Sequence, residues 1–129
     1  MKIGPFTLTP KGLVMDRKPS PDDWENLGKV LGHIQRNINW WVGDMIVFGE
    51  AQQGDDIYQA VSETVSLDYI DRCSYMSRMF PPGTRQPLSF THHQAVASLK
   101  DPIRETLLKT AKENNWTAAE LKQVAKEYL

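Results

Sequence analysis

Seven apolar residues, Leu27, Leu31, Ile34, Ile38, Trp41, Met45 and Phe48, succeed one another at steps that alternate four and three. This spacing sets them in one stripe down a helix of up to about 30 residues. Val30, Trp40, Val42 and Val47 lie off the stripe and widen the apolar surface. A helix this apolar is expected to form the spine of a domain or to pack against a second copy of itself. Both of its ends are marked. Ser20 suits the N-cap, Pro21 the first helical position, and Asp22 and Asp23 complement the helix dipole. Gln52-Gln53-Gly54 closes it, with Gly54 fitted to a left-handed C-terminal position. Gly28, Gly32 and Gly43 weaken the helix, and a break is expected near Gly43 if anywhere.

The rest of the chain is punctuated into short elements. Residues 2–8 and 13–15 are β-like and are separated by Thr9-Pro10-Lys11-Gly12, which predicts a small hairpin or an extended arm. Residues 55–64 and 67–80 form two helical patterns, the second capped by Ser66 and stopped by Pro81-Pro82-Gly83. Residues 89–99 follow, capped by Ser89. Asp101-Pro102 repeats the cap-then-proline pattern before residues 102–113. The last helix opens on Thr117-Ala-Ala-Glu120, a capping box, with Trp116 and Leu121 as its hydrophobic staple. The expected fold is all-α: about six helices around a helix-turn-helix, with a short N-terminal β arm or hairpin. Residues 1–129 then make a single helical domain. It comprises an arm (1–19), a long apolar helix (20–53), a helix-turn-helix (55–80) and bracing helices (88–129).

Composition excludes several classes. The chain has 129 residues, 40% hydrophobic and 24% charged, which is ordinary for a globular domain and unlike a disordered or low-complexity chain. Its apolar runs are far shorter than the ~18 residues of a membrane span. The first residues carry no apolar signal core, so a cytoplasmic protein, nucleoid-associated if it binds DNA, is expected. One cysteine allows neither an internal disulfide nor a multi-cysteine metal site. Phosphate loops, nucleophile elbows and His-Glu-x-x-His are all missing. Adjacent His92 and His93 point about 100° apart on a helix and make a poor metal pair, so one is expected to pack or cap and the other to be solvated. Cys73 lies on an apolar helix face and is expected to be buried as a small hydrophobe. Asp55-Asp56 charges a helix start. No catalytic residue, cofactor or metal site is expected.

The net charge of -1 hides an uneven distribution. Between Asp22 and Glu63 eight acids face two bases, so the flanks are basic. That permits a phosphate-facing surface. The stretch from Tyr58 to Tyr75 is where such a surface would be used, because two short helices joined by a tight turn present the second helix to a DNA major groove. Ala60 would allow close packing in the first helix and Ile70 would anchor the second. Thr64 occupies the turn position usually given to glycine. With Ile70, Cys73, Met76 and Ser77 inward, the outward or flanking residues are Leu67, Asp68, Asp71, Arg72, Tyr75 and Arg78.

Residues 55–129 resemble the helix-turn-helix portion of the ParB/KorB partition proteins. The matching pieces are Tyr58-Gln-Ala60-Val-Ser-Glu-Thr64-Val-Ser66 with Ile70, Leu88-Ser89-Phe-Thr91-His92-His-Gln-Ala95, and Asn115-Trp116-Thr117-Ala-Ala-Glu120-Leu121. Thr91 replaces the family's glycine and Thr117 its serine. The whole chain is also similar to small bacterial and phage-type proteins that share this arrangement. The Gly-Glu-Arg-Arg nucleotide-binding box and the final dimerisation module of full partition proteins are lacking, so the resemblance implies DNA binding without nucleotide-driven clamping.

Together these features predict a non-catalytic protein that binds double-stranded DNA, as a homodimer through the helix of residues 22–50. The expected DNA-binding residues are Ser66, Leu67, Asp68, Tyr69, Arg72, Tyr75, Arg78 and Arg85. Ser66 and Tyr69 would meet phosphate near the helix start, Arg72 and Tyr75 would reach base edges or backbone, and Arg78 and Arg85 would hold phosphates. Lys11, Arg17 and Lys18 could add a second phosphate contact. Transcriptional regulation or accessory work in partition would both fit. The alternative is a protein–protein adaptor on the same scaffold. An exposed Trp40-Trp41 surface would favour the adaptor, and a continuous basic strip around Arg72, Arg78 and Arg85 would favour DNA.

Overall fold

In the computed structural model, which describes all 129 residues, the apolar stretch is one unbroken helix, α1 (Pro21–Gln53). Its first turn is closed reciprocally. The Asp23 N–H donates to Ser20 Oγ (3.2 Å), and the Ser20 N–H donates to the Asp23 carboxylate (2.9 Å). These bonds, with Arg17, hold the Asp23 carboxyl below its usual pKa. No break occurs at Gly43, and α1 ends where Gly54 turns left-handed (φ +63°) and donates its N–H to the Glu50 carbonyl. Five helices follow: α2 (Asp56–Ser62), α3 (Leu67–Met79), α4 (Phe90–Val96), α5 (Ile103–Glu113) and α6 (Ala118–Ala125). Strands β1 (Lys2–Ile3), β2 (Phe6–Thr9) and β3 (Gly12–Met15) precede α1. The fold is all-α with a small N-terminal sheet, as the punctuation of the sequence predicts.

Contacts divide the chain into two compact units, Met1–Arg36 and Asn37–Leu129. In the first, the strands pair antiparallel in the order β1-β2-β3, with Ile3 opposite Phe6 and Leu8 opposite Leu13. Residues 2–8 are therefore two strands rather than one piece, because Gly4 (φ +56°) turns the chain between them. Phe6 is fully buried with its ring 4.9 Å from that of Trp24, and Leu27 is buried too. Arg17 is engaged by Asp23 at 2.9 Å.

The second unit is built around Trp40, whose ring meets Phe80, Phe90 and His93 edge-on. Leu107, Leu108 and Leu121 from α5 and α6 complete this core. Asn115 adopts a left-handed conformation (φ 54°), and the Trp116 N–H returns to the Ala111 carbonyl (2.9 Å), closing α5 in a Schellman turn. The capping box at α6 is formed in both directions, Glu120 N–H to Thr117 Oγ1 (3.1 Å) and Thr117 N–H to Glu120 (3.3 Å). One cap differs from expectation. The Asp101 carboxylate receives Arg104 (3.1 Å) and Pro102 stands at the cap of α5 with no side-chain bond.

The apolar stripe also turns out differently. Leu27 is buried and Ile34 half-buried, but Leu31, Ile38, Trp41, Met45 and Phe48 are exposed. The buried positions of α1 in the helical unit are Trp40, Gly43 and Ile46, off the stripe. The reason is steric. A Cβ at Gly43 would sit 2.3 Å from the Cys73 carbonyl oxygen and 2.2 Å from Ser77 Oγ, so the glycine lets α3 lie against α1 on that side.

Candidate nucleic-acid interface

Helices α2 and α3 are joined by residues 63–66, and none of these takes a positive φ. The turn thus forms with Thr64 where a glycine is usual, and Thr64 Oγ1 donates to the Val61 carbonyl (3.3 Å). Ser66 caps α3, its hydroxyl accepting from the Tyr69 N–H (3.3 Å). Ile70, Cys73, Met76 and Ser77 are buried as predicted, and Ser74 joins them. Cys73 is packed as a buried thiol, and that burial pushes its pKa up. Ala60 is a correction: it is exposed, and α2 has no buried residue. The small residue that matters for α2 is Gly49 on α1, where a Cβ would come within 2.5 Å of the Ile57 side chain.

Most of the predicted contact residues now have definite surroundings. Leu67, Asp68, Asp71, Arg72 and Tyr75 are exposed, at a spacing that makes one face of α3. The Arg72 guanidinium lies only loosely over the Tyr69 ring (5.9 Å) and is in no ion pair. Tyr69 is turned away from that face. Its hydroxyl, expected to meet phosphate, donates to Asn39 Oδ1 on α1, and burial raises its pKa. Arg78 pairs with Glu50 and donates to the Tyr58 hydroxyl (2.9 Å), while Tyr58 donates to Glu50 (3.1 Å). Arg85, expected to hold phosphate, is also engaged within the chain. It grips both oxygens of Asp44 (2.9 and 2.6 Å), donates Nε–H to the Phe80 carbonyl (2.9 Å), and stacks over Trp40 at 4.0 Å. Its side chain is only 14% exposed. Burial alone would raise the Asp44 pKa, but hydrogen bonds from Arg85 and Ser77 bring it below its ordinary value.

The geometry therefore sorts the candidates in two. Arg78 and Arg85, with Tyr69, fasten α3 and the segment after it to α1. Leu67, Asp68, Asp71, Arg72 and Tyr75 are left as the outward face, and Asp68 and Asp71 against Arg72 give it a charge of -1. The residues that receive the fastening, Asn39, Asp44 and Glu50, were not singled out from the sequence. Their signal was polar residues placed in an otherwise apolar helix.

The histidine pair is structural. His93 is wholly buried, its Nδ1–H donating to the Ser89 carbonyl (2.8 Å) and its Nε2 accepting from the Gln86 N–H (3.1 Å). His92 is half-buried rather than solvated, and bonds Ser89 Oγ (2.6 Å) and the Trp116 carbonyl (2.7 Å). Burial holds the His93 pKa below its ordinary 6.5. The native state thus binds fewer protons there than the unfolded chain, and its contribution to stability is complete above pH ~6.5 and lost as pH falls toward the native pKa. Thermal unfolding is expected to be flat from pH 8 to 7 and to shift downward between pH 6.5 and 5. Asp44 adds a further loss below pH ~4. His93→Gln should remove the first step and leave the second.

No helix is long and apolar enough to cross a membrane. No protein-family model matches the chain, and no solved structure matches it. The chain is 34% identical over 114 residues to a protein of Streptomyces niveus named transcriptional regulator NovE. That alignment covers 86% of this chain and 52% of the relative, so the chain spans about half the length of the curated regulator it matches.

Proposed function

We propose that the chain regulates transcription by binding duplex DNA through α2 and α3 as a helix-turn-helix, as a homodimer joined through α1 and without catalysis. The observation that carries this reading is the likeness over 86% of the chain to a protein named as a transcriptional regulator. Residues 55–129 would then play the part of a ParB/KorB-like helix-turn-helix segment. On this reading α3 enters the major groove. The N–H groups of Leu67 and Asp68, at the start of α3, face phosphate with Ser66. Arg72 reads guanine or holds backbone, Asp68 or Asp71 accepts from a cytosine amino group, and Leu67 meets a thymine methyl. Arg78 and Arg85 act indirectly, by fixing how α3 stands on α1. Arg72→Ala should cost about 1–3 kcal/mol at the preferred site and relax discrimination at one base pair. Titrations of labelled duplexes with folded Arg72→Ala and Tyr75→Ala proteins test this. Two variants that bind every sequence as the wild type does would remove α3 as the reading helix.

One observation favours the adaptor as a second reading. With Arg78 and Arg85 spent in ion pairs, no continuous basic strip runs along α3, and Trp41 is exposed although Trp40 is buried. A regulator that acts on transcription through a protein partner would need no basic strip.

A further inference from the structure

Within the helical unit, α1 leaves Ile38, Trp41, Met45 and Phe48 exposed at 39%, 43%, 40% and 56%. Their steps of three, four and three continue a pattern that begins at Leu27, and seven residues in strict alternation have a period of 3.5 rather than 3.6. A sustained 3.5 period is the seam of a helix pair, in which each apolar residue enters a hole on a facing helix. The same helix already meets its own unit through Trp40, Gly43 and Ile46, so the seam is a second surface.

We infer that this seam is covered by α1 of a second copy, running antiparallel about a two-fold axis that crosses the seam at the level of residue 43, on the side of α1 away from α3. The inference rests on the homodimer in the proposed function and gives it an interface and an orientation. A second copy fits because the positions bordering the exposed seam, Asn37, Val42, Asp44 and Gly49, carry one charge between them. That charge, Asp44, is already matched by Arg85 of its own chain. Two such faces meet without repulsion. Antiparallel pairing about position 43 sets Ile38 against Phe48 and Trp41 against Met45, twice over. Every layer then holds one larger and one smaller side chain, which keeps the helix separation even along the seam. Parallel pairing would stack Trp41 on Trp41 beside a layer of two isoleucines and would align the helix dipoles. Trp41 and Phe48, each about half exposed, offer on the order of 100 Å² apiece. The four residues together supply about half of the ~800 Å² per partner of a stable interface, a share suited to its apolar centre.

Sedimentation at micromolar concentration should give a species of twice the 14.7 kDa chain mass. Met45→Glu, and separately Phe48→Glu, should halve that mass with unchanged helical circular dichroism, since neither residue is in the core. Orientation is read by disulfide trapping. An equimolar mixture of Ile38→Cys and Phe48→Cys proteins of different tag length should form the mixed dimer at least several-fold over either homodimer. A predominance of Ile38→Cys homodimers would overturn the antiparallel arrangement. A wild-type monomer, or dimers unaffected by both glutamates, would overturn the interface altogether. DNA binding is scored separately on the same samples. A monomer that binds DNA removes this inference together with the homodimer it rests on and leaves the DNA reading standing, and a dimer that binds no DNA removes the DNA reading alone.

Discussion

Trp40→Ala is expected to cost the helical unit about 3–5 kcal/mol, the usual range for deleting a large buried aromatic. Trp40 is 6% exposed, and its ring is the common neighbour of Phe80, Phe90 and His93. It also covers the Arg85 guanidinium at 4.0 Å, so the cavity would open onto the Arg85–Asp44 pair and hydrate it. A unit of this size has roughly 5–14 kcal/mol of stability in all, so the loss leaves a marginal fold. Urea unfolding followed by circular dichroism measures it as a large drop in midpoint. Trp40→Phe, which keeps a ring in place, should lose less than half as much.

Gly43→Ala is expected to destabilise by a net of about 1–2 kcal/mol, against the preference of helices for alanine. Propensity alone favours the substitution by about 1 kcal/mol. The added methyl would lie 2.3 Å from the Cys73 carbonyl oxygen, and a backbone atom there moves only if α3 moves. Overpacking of this kind costs more than propensity returns. Gly28→Ala is the control, because nothing lies within 4 Å of its Cβ position, and it should stabilise by about 0.5–1 kcal/mol. A displaced α3 should weaken DNA binding in Gly43→Ala beyond its loss of folded protein, with Gly28→Ala unaffected. Equal stability of the two alanine variants would contradict the close α1–α3 approach.

Gly43 also marks where sequence reasoning stops. A glycine in the middle of an apolar helix reads locally as a weak point, and its value as a close-packing site depends on a helix thirty residues away. Elements whose signals are local were legible. Ser20, Ser66, Ser89 and Thr117 each accept or exchange the cap bonds expected of them, and Gly54 ends α1 in the left-handed conformation. The inward face of α3 was legible from spacing alone, as Ile70 and Cys73 are buried. The pairing of charges was not. Arg78 and Arg85 lie 28 and 41 residues from Glu50 and Asp44, and no periodicity joins such positions. Both looked like free cations in the sequence and are internal fastenings in the fold. The stripe on α1 was read correctly as apolar, but its periodicity could not say which side of the helix meets the rest of the chain.

A genome-fragment binding selection with purified protein at about 100 mM salt tests directly whether α3 reads duplex DNA. Wild-type protein should enrich fragments sharing a two-fold site, with half-sites about one helical turn (~34 Å) apart. Under the same conditions, folded Arg72→Ala protein should enrich them less and tolerate a changed base pair in each half. Failure of the wild type to enrich any fragment, or an identical site and yield for Arg72→Ala, would contradict a reading role for α3.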